Sequence, residues 1–216
     1  MSNRQRQRVW LTVGGVIAFV VLVVVSFVYR IQQPRVMSES EMQANGLYLF
    51  DTPRDPGAFA LVAQDGTPFT PEDLEGHWTL LFFGFTHCPD ICPTTMTFLA
   101  DLHRQLEATE AADTRVVMVS VDPARDTPEQ LTSYVPYFHP DFVGVTGEFS
   151  DILSFTRKFN APFRKVTMDD GSYQVEHSAN VALVNPRGDY HGFFKAPLDM
   201  AKMKVTYRSA RWLWDH

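Results

Sequence analysis

The distribution of apolar and polar residues divides the chain into one membrane-length segment and one folded domain. Residues 9–29 form an apolar run of 21 residues without a charge. A helix of that length rises about 31 Å, which is enough to cross the hydrocarbon core once. Residues 30–45 are polar and lack periodicity, which predicts a linker. Residues 46–216 have the length of a single domain.

The charges that flank the apolar run predict its orientation. Arg4, Arg6 and Arg8 precede it without any acidic residue, so residues 1–8 are expected to be a cytoplasmic tail. The run ends at Arg30 without an Ala-x-Ala cleavage site, which favours an uncleaved transmembrane anchor over a signal peptide. We therefore expect a single-pass protein of a bacterial inner membrane, with the domain in the periplasm.

Within the domain, continuous apolar runs alternate with segments of helical periodicity. Strands are predicted at residues 79–85, 115–121, 142–145, 180–185 and 190–194. Helices are predicted at residues 94–106, 128–138, 149–159 and from about residue 198. One short hairpin is expected to close at Asp65-Gly66, and another to turn at residues 169–172. This order predicts an α/β fold, a thioredoxin-like mixed sheet with flanking helices.

Charge and cysteine content exclude several functional classes. The net charge of the chain is −6, but residues 1–35 carry five arginines and no acid, so the remainder carries −11. A domain this acidic repels phosphate backbones, and no nucleic-acid partner is expected. Two cysteines cannot build a disulfide-dense scaffold or a four-thiolate metal site. They can form one disulfide or supply two ligands to one metal ion.

These two cysteines, Cys88 and Cys92, stand where a predicted strand ends and a helix begins. Backbone N–H groups at a helix N-terminus favour a thiolate over a thiol, and residues four apart can bring both sulfurs to one side. A disulfide across so short a loop would stabilise the fold little. Thiol–disulfide oxidoreductases of this fold use two intervening residues rather than three. The pair is therefore predicted to be a redox couple or a set of metal ligands.

His177 precedes the predicted strand 180–185, where thioredoxin-type enzymes have a cis-proline. In a thioredoxin-like topology this position lies beside the first cysteine, so two thiolates and one imidazole should converge. Such a soft, low-coordinate donor set suits Cu(I), although Zn²⁺ could use the same ligands with water as a fourth. His87 is expected to point away from the site, and Met96 to pack in the core.

Three separated blocks resemble the Sco/SenC family of cytochrome c oxidase assembly proteins. The first is Gly-Phe-Thr-His-Cys-Pro-Asp-Ile-Cys-Pro at residues 84–93. The second is Val-Ser-Val-Asp-Pro-Ala-Arg-Asp-Thr-Pro at residues 119–128, and the third is His177-Ser178. The resemblance extends over about residues 50–212 and includes the single N-terminal anchor.

The resemblance implies a set of site residues. Copper, as Cu(I) or Cu(II), would be bound by Cys88, Cys92 and His177, and the two cysteines would also be a redox pair that can form a disulfide. Asp122 matches a family acid near the site, where it would orient His177 or tune the thiolates from outside the ligand set. The alternative for Asp122 is a loop acid that caps the turn at Asp122-Pro123.

The resemblance also implies a partner and leaves two functions open. A membrane-tethered copper chaperone would deliver copper to the subunit of cytochrome c oxidase that holds the dinuclear copper centre. An upstream copper donor or a thiol reductant would be a further partner. Alternatively, the protein is a thiol–disulfide oxidoreductase that reduces the cysteines of that centre or of another exported protein, which requires no His177. A binding module with structural zinc is a third possibility.

Overall fold

The computed structural model describes residues 3–32 and 36–215, which fall into two compact units divided at residue 36. The first unit contains one helix, α1 (Asn3–Gln32). Within it, Trp10–Arg30 has a mean hydropathy of 2.8 and is long and apolar enough to span a membrane. Residues 1, 2 and 33–35 of the predicted tail and linker lie outside the described residues. The boundaries of the anchor and its orientation stay predictions.

The second unit is built on strands. Their bounds are β1 (Leu47–Arg54), β2 (Leu61–Ala63), β3 (Pro68–Phe69), β4 (Trp78–Gly84), β5 (Thr114–Ser120), β6 (Val143–Thr146), β7 (Phe163–Thr167), β8 (Tyr173–His177), β9 (Val181–Val184) and β10 (Tyr190–Phe194). Eight of them form one sheet in the order β1-β10-β9-β4-β5-β6-β2-β3, and β7 pairs with β8 in a separate two-stranded sheet. The neighbours β4, β5 and β6 are parallel, and the other pairs are antiparallel.

Helices flank this sheet. They are α2 (Glu39–Ala44), α3 (Ile91–Gln105), α4 (Ala108–Ala112), α5 (Pro128–Tyr134), α6 (Phe149–Lys158) and α7 (Met200–Asp215), with 3₁₀ turns at Pro71–Leu74 and Val135–Tyr137. The predicted thioredoxin-like mixed sheet with flanking helices is confirmed. Both predicted hairpins are also present, at β2–β3 and at β7–β8.

Strand β4 lies at the centre of the core and directs side chains to both faces of the sheet. All seven of its residues are buried, as the continuous apolar run predicts for a strand covered on both sides. Phe83 packs against the rings of Phe155 and Phe159, with centroids 6.1 and 5.9 Å away. Because successive side chains alternate, Phe82 points to the opposite face, where it meets the ring of His177 at 5.9 Å. The core strand therefore forms one wall beside His177.

Residues 39–44, which lie within the predicted linker 30–45, form a helix, α2, that was not predicted. A capping box begins this helix: the backbone N–H of Glu41 donates to the Ser38 hydroxyl at 3.4 Å, and the N–H of Ser38 donates to the Glu41 carboxylate at 2.8 Å. Met42 is buried in the main core. Strand β1, which pairs with β10, was not predicted either.

Helix α3 begins at Ile91, three residues before the predicted start at Thr94. Pro93 is compatible with this start because the first N–H groups of a helix have no intrahelical acceptor. The earlier start places Cys92 in the first turn of the helix.

Candidate metal centre

Three side chains from different parts of the fold meet at the N-terminal end of α3. Cys88 lies in the loop between β4 and α3, Cys92 in the first turn of α3, and His177 at the end of β8. One ligand atom from each lies within 4.8 Å of the other two. The Sγ atom of Cys92 is 3.3 Å from Nε2 of His177. The structure thus brings together the three residues that the sequence singled out.

The two sulfurs have different protonation states. A hydrogen bond from the Cys92 thiol, aided by backbone N–H groups of Asp90 and Cys92, lowers the pKa of Cys88 from 9.0 to about 4. The same hydrogen bond, followed by burial, raises the pKa of Cys92. At neutral pH the pair therefore shares one proton, with a partly exposed thiolate at Cys88 and a buried thiol at Cys92.

This asymmetry predicts the pH dependence of alkylation. The folded, reduced chain should react with iodoacetamide first at Cys88, at a rate that stays level from pH 9 down to about pH 5 and falls only as the pH approaches 4. The alkylation rate depends on pH in this direction because Cys88 remains a thiolate above its lowered pKa, and only the thiolate reacts. In denaturant the same rate should fall below about pH 8.5. Mass spectrometry of quenched samples measures both profiles, and identical profiles would contradict the prediction.

His177 is held with one ring nitrogen directed at the sulfurs. Its Nδ1 lies 3.0 Å from the backbone carbonyl oxygen of Ser178, which can only accept, so Nδ1 carries the proton and donates. In the neutral ring Nε2 then has a free lone pair facing Cys92. The rings of Phe82 and Phe85 meet the imidazole nearly edge-on at 5.9 and 5.7 Å. The imidazole is therefore oriented so that its Nε2 could serve as a nitrogen ligand to a metal ion.

Asp126, a fully buried carboxylate, holds the turn that carries Cys88 by hydrogen bonds. Asp126 accepts hydrogen bonds from the N–H and O–H of Thr86 at 2.9 and 2.6 Å, and from the O–H of Ser120 at 2.6 Å. Since the hydroxyl proton of Thr86 is thus engaged, the 3.0 Å contact between Thr86 and Nδ1 of His87 must have the ring donating. His87 contacts Thr86 and is not among the clustered ligand atoms.

Asp122 acts on the hairpin that carries His177. Its carboxylate accepts hydrogen bonds from Nε of Arg125 and, at 3.0 Å, from the hydroxyl of Tyr173. The guanidinium of Arg125 also stacks 3.9 Å above the Tyr173 ring. Tyr173 and His177 are the two ends of β8. The carbonyl of Ser178, rather than Asp122, is the hydrogen-bond partner of Nδ1 of His177, so Asp122 contacts the hairpin and not the imidazole.

Two residues that contribute to this arrangement were missed in the sequence. Asp126 stands in the same block as Asp122, and Thr86 stands two positions before Cys88. The signal was present, because a second acid in a loop beside a cysteine motif is a candidate support for that motif. Nothing in the local pattern told which of the two acids would be fully buried.

The donor set fits a soft metal ion and fits disulfide chemistry. Two sulfurs and one imidazole satisfy the low coordination number of Cu(I), whereas Zn²⁺ would need a fourth donor. The two free cysteines can also be oxidised to a disulfide. Fold and site together define a thioredoxin-like protein with a Cys–Cys–His cluster at the start of helix α3.

The chain belongs to the SCO1/SenC family, whose model matches residues 51–210. A Stutzerimonas stutzeri protein that is provisionally named a copper-binding protein is 42% identical over 160 residues, which are 73% of this chain and 77% of that protein. The expected family membership is therefore confirmed.

Two solved structures of ScoI proteins are similar to this chain in fold and in sequence. The crystal structure of Arabidopsis thaliana ScoI with copper bound superimposes with a TM-score of 0.68 and 36% identity, over 72% of this chain and 98% of that one. The structure of Bradyrhizobium japonicum ScoI with copper bound gives a TM-score of 0.62 and 31% identity over the same shares. Both of these relatives hold copper.

Proposed function

We propose that this protein binds one copper ion through Cys88, Cys92 and His177 and delivers it to the dinuclear copper centre of cytochrome c oxidase. The observation that carries the proposal is the convergence of two sulfurs and one unprotonated imidazole nitrogen within 4.8 Å. The copper held by the Arabidopsis and Bradyrhizobium relatives supports the choice of metal.

Loading and release follow from the chemistry of the two sulfurs. Copper enters a pair that has already lost one proton, and its binding displaces the second proton from Cys92. Cys88 is partly exposed, so acceptor cysteines can approach and exchange ligands there. Oxidation to the Cys88–Cys92 disulfide, in which an external oxidant takes two electrons and the proton of Cys92 is released, leaves no thiolate and excludes copper.

The apolar segment bears on where in the cell the protein acts. We infer that residues 9–29 anchor the chain in the membrane and that the domain stands on the periplasmic side. The candidate span Trp10–Arg30 supports this proposal. Such a tether confines the domain to the membrane surface and raises its effective concentration near an integral-membrane oxidase.

One observation favours a second function, that of a thiol–disulfide oxidoreductase. Cys88 is an accessible thiolate, and Cys92 is a buried thiol beside it. An acceptor disulfide would be attacked by Cys88, one acceptor sulfur would leave as thiolate, and Cys92 would then resolve the mixed disulfide. The acceptor gains two electrons, and the pair becomes a disulfide. This function does not require His177.

Copper stoichiometry of the full chain in detergent tests the proposed function. The reduced chain should bind one Cu(I), the chain oxidised to the disulfide should bind none, and re-reduction should restore binding, because only the dithiolate offers both sulfurs. Anaerobic titration followed by metal analysis measures this. Equal copper in both redox forms, or retained zinc that Cu(I) does not displace, would contradict the proposal.

A further inference from the structure

A single loop supports both halves of the candidate metal centre. The loop is residues 122–126, which follow β5. The backbone N–H groups of Arg125 and Asp126 both donate to the carbonyl oxygen of Asp122 at 3.0 Å, so the loop forms a compact turn. Its last two residues contact different parts of the site. Asp126 holds the turn that carries the first cysteine, and Arg125 contacts the β7–β8 ribbon, residues 163–177.

The side chain of Arg125 is three-quarters buried between this loop and the β7–β8 ribbon. Its Nε donates to the carboxylate of Asp122, and its Nη1 donates to the backbone carbonyl oxygen of Tyr173 at 3.4 Å. Its Cζ lies 3.9 Å from the centroid of the Tyr173 ring and 5.6 Å from that of the Phe85 ring. The planar guanidinium thus stacks on a ring while its N–H groups donate, which the ammonium of a lysine cannot reproduce.

The polar attachment of the β7–β8 ribbon to the rest of the domain is concentrated at this loop. The hydroxyl of Tyr173 donates to the carboxylate of Asp122 at 3.0 Å, beside the contacts of Arg125. Within the part of the chain that the structure describes, the hydrogen bonds that leave the ribbon end on these two loop residues, apart from those of His177 itself. The position of the ribbon therefore depends on the pair Asp122 and Arg125.

Two routes connect this attachment to the position of His177. Tyr173 and His177 are the first and last residues of β8, and residues at this spacing in a strand direct their side chains to the same face. In addition, the ring of Phe85 contacts both partners: it lies 5.6 Å from Cζ of Arg125 and 5.7 Å from the imidazole. Loss of the guanidinium would therefore loosen the strand that carries the imidazole and remove a neighbour of the ring that packs against it.

We propose that Arg125 is a positioning residue for copper binding: its guanidinium holds the β7–β8 ribbon to loop 122–126 and thereby keeps Nε2 of His177 at the two sulfurs. The inference rests on the proposed function. Because Asp126 of the same loop holds the cysteine turn, the loop aligns ligands that come from two separate sheets. Loss of Arg125 should lower copper affinity through the imidazole and not through the sulfurs.

Replacement of Arg125 by glutamine tests the inference in the full chain in detergent. The Arg125→Gln variant should bind Cu(I) roughly 10- to 100-fold more weakly than wild type, which is the usual cost of losing a contact that orients a metal ligand. Arg164→Gln is the matched control, because Arg164 is 74% exposed and pairs with Glu176 inside the ribbon. The control should keep the affinity of wild type. Competition with a chromogenic Cu(I) chelator measures both affinities.

A double-mutant cycle distinguishes positioning of the imidazole from a general loss of stability. In a chain that carries His177→Ala, the further change Arg125→Gln should leave the Cu(I) affinity unchanged, because the ligand that Arg125 positions has been removed. A purely structural role would instead give additive losses. X-ray absorption spectroscopy gives an independent readout: the Cu(I)-loaded Arg125→Gln chain should show weaker scattering from an imidazole ring than wild type.

Arg125→Gln leaves the buried carboxylate of Asp122 without its cation, so Tyr173→Phe serves as a second variant. This change removes the hydroxyl that donates to Asp122 and keeps the ring that stacks on the guanidinium. It should weaken Cu(I) binding less than Arg125→Gln does, and again not in the His177→Ala background.

Four results would overturn the inference alone: unchanged affinity in either variant, an equal loss in Arg164→Gln, additive losses in the cycle, or an unchanged imidazole signal. A wild-type chain that does not bind Cu(I) would overturn the proposed function, and the inference with it.

Discussion

Replacement of His177 by alanine should lower the Cu(I) affinity of the reduced chain by roughly a hundredfold or more, because removal of a ligand exceeds the 10- to 100-fold cost of losing its supporting contacts. Disulfide exchange at Cys88 should remain nearly unchanged. The hydrogen bond from Cys92 and the backbone N–H groups do most of the lowering of the pKa of Cys88, and His177 contributes least among the causes. The variant thus separates copper binding from thiol chemistry.

The experiment compares this variant with a second histidine that lies close to the cysteines in sequence. His87→Ala removes an exposed imidazole next to Cys88 that contacts Thr86 and stands outside the ligand cluster. It should keep both the Cu(I) affinity and the exchange rate of wild type. Competition titrations with a Cu(I) chelator and reduction of a small disulfide substrate measure the two activities. Tight Cu(I) binding by His177→Ala would defeat the three-ligand assignment.

Replacement of Gly84 by alanine should damage both the fold and the site. A Cβ at this position would lie 2.7 Å from Cε1 of Phe82 and 2.9 Å from Sγ of Cys92, both closer than real contacts allow. Overpacking of this kind costs about 1–3 kcal/mol of stability. The sulfur of Cys92 must also move, and a displaced ligand should lower Cu(I) affinity by roughly 10- to 100-fold.

Gly144→Ala provides a matched control for the steric effect. Its Cβ would lie 2.9 Å from both Oε1 of Gln64 and Cγ2 of Val135, so the variant overpacks the same sheet without touching a sulfur. Both variants should lower the Tm, but only Gly84→Ala should lower the Cu(I) affinity of the chain that remains folded. Equal loss of affinity in the two variants would show that the effect is general destabilisation.

The central part of the fold could be predicted because its strands can be identified from their own residues alone. The apolar run at residues 79–85 is continuous since β4 is buried on both faces, and no partner strand is needed to identify it. Strand β1 gives no such signal: its burial is partial and depends on pairing with β10, about 140 residues later in the chain. Helix α2 could have been found, because Ser38 and Glu41 have the spacing of a capping box.

The candidate site was predictable to the extent that its chemistry is carried by residue type and spacing. Two cysteines at a strand-to-helix turn are visible in the sequence, and topology then brings His177 to them. The role of Asp126 depends on its burial and on which donors reach its carboxylate. Those properties arise only when the end of β5 packs against the turn before α3, and no local pattern encodes them.

The division of the ligands between two sheets bears on how the cargo can leave. Both sulfurs follow β4 of the eight-stranded sheet, whereas the imidazole comes from the separate β7–β8 ribbon. A bound ion would therefore connect two separately paired sheets. Under the proposed function, an acceptor that displaces the β7–β8 ribbon would withdraw one of the three ligands and leave every strand pairing of the larger sheet intact. Displacement of the ribbon would then promote release of the ion in addition to ligand competition.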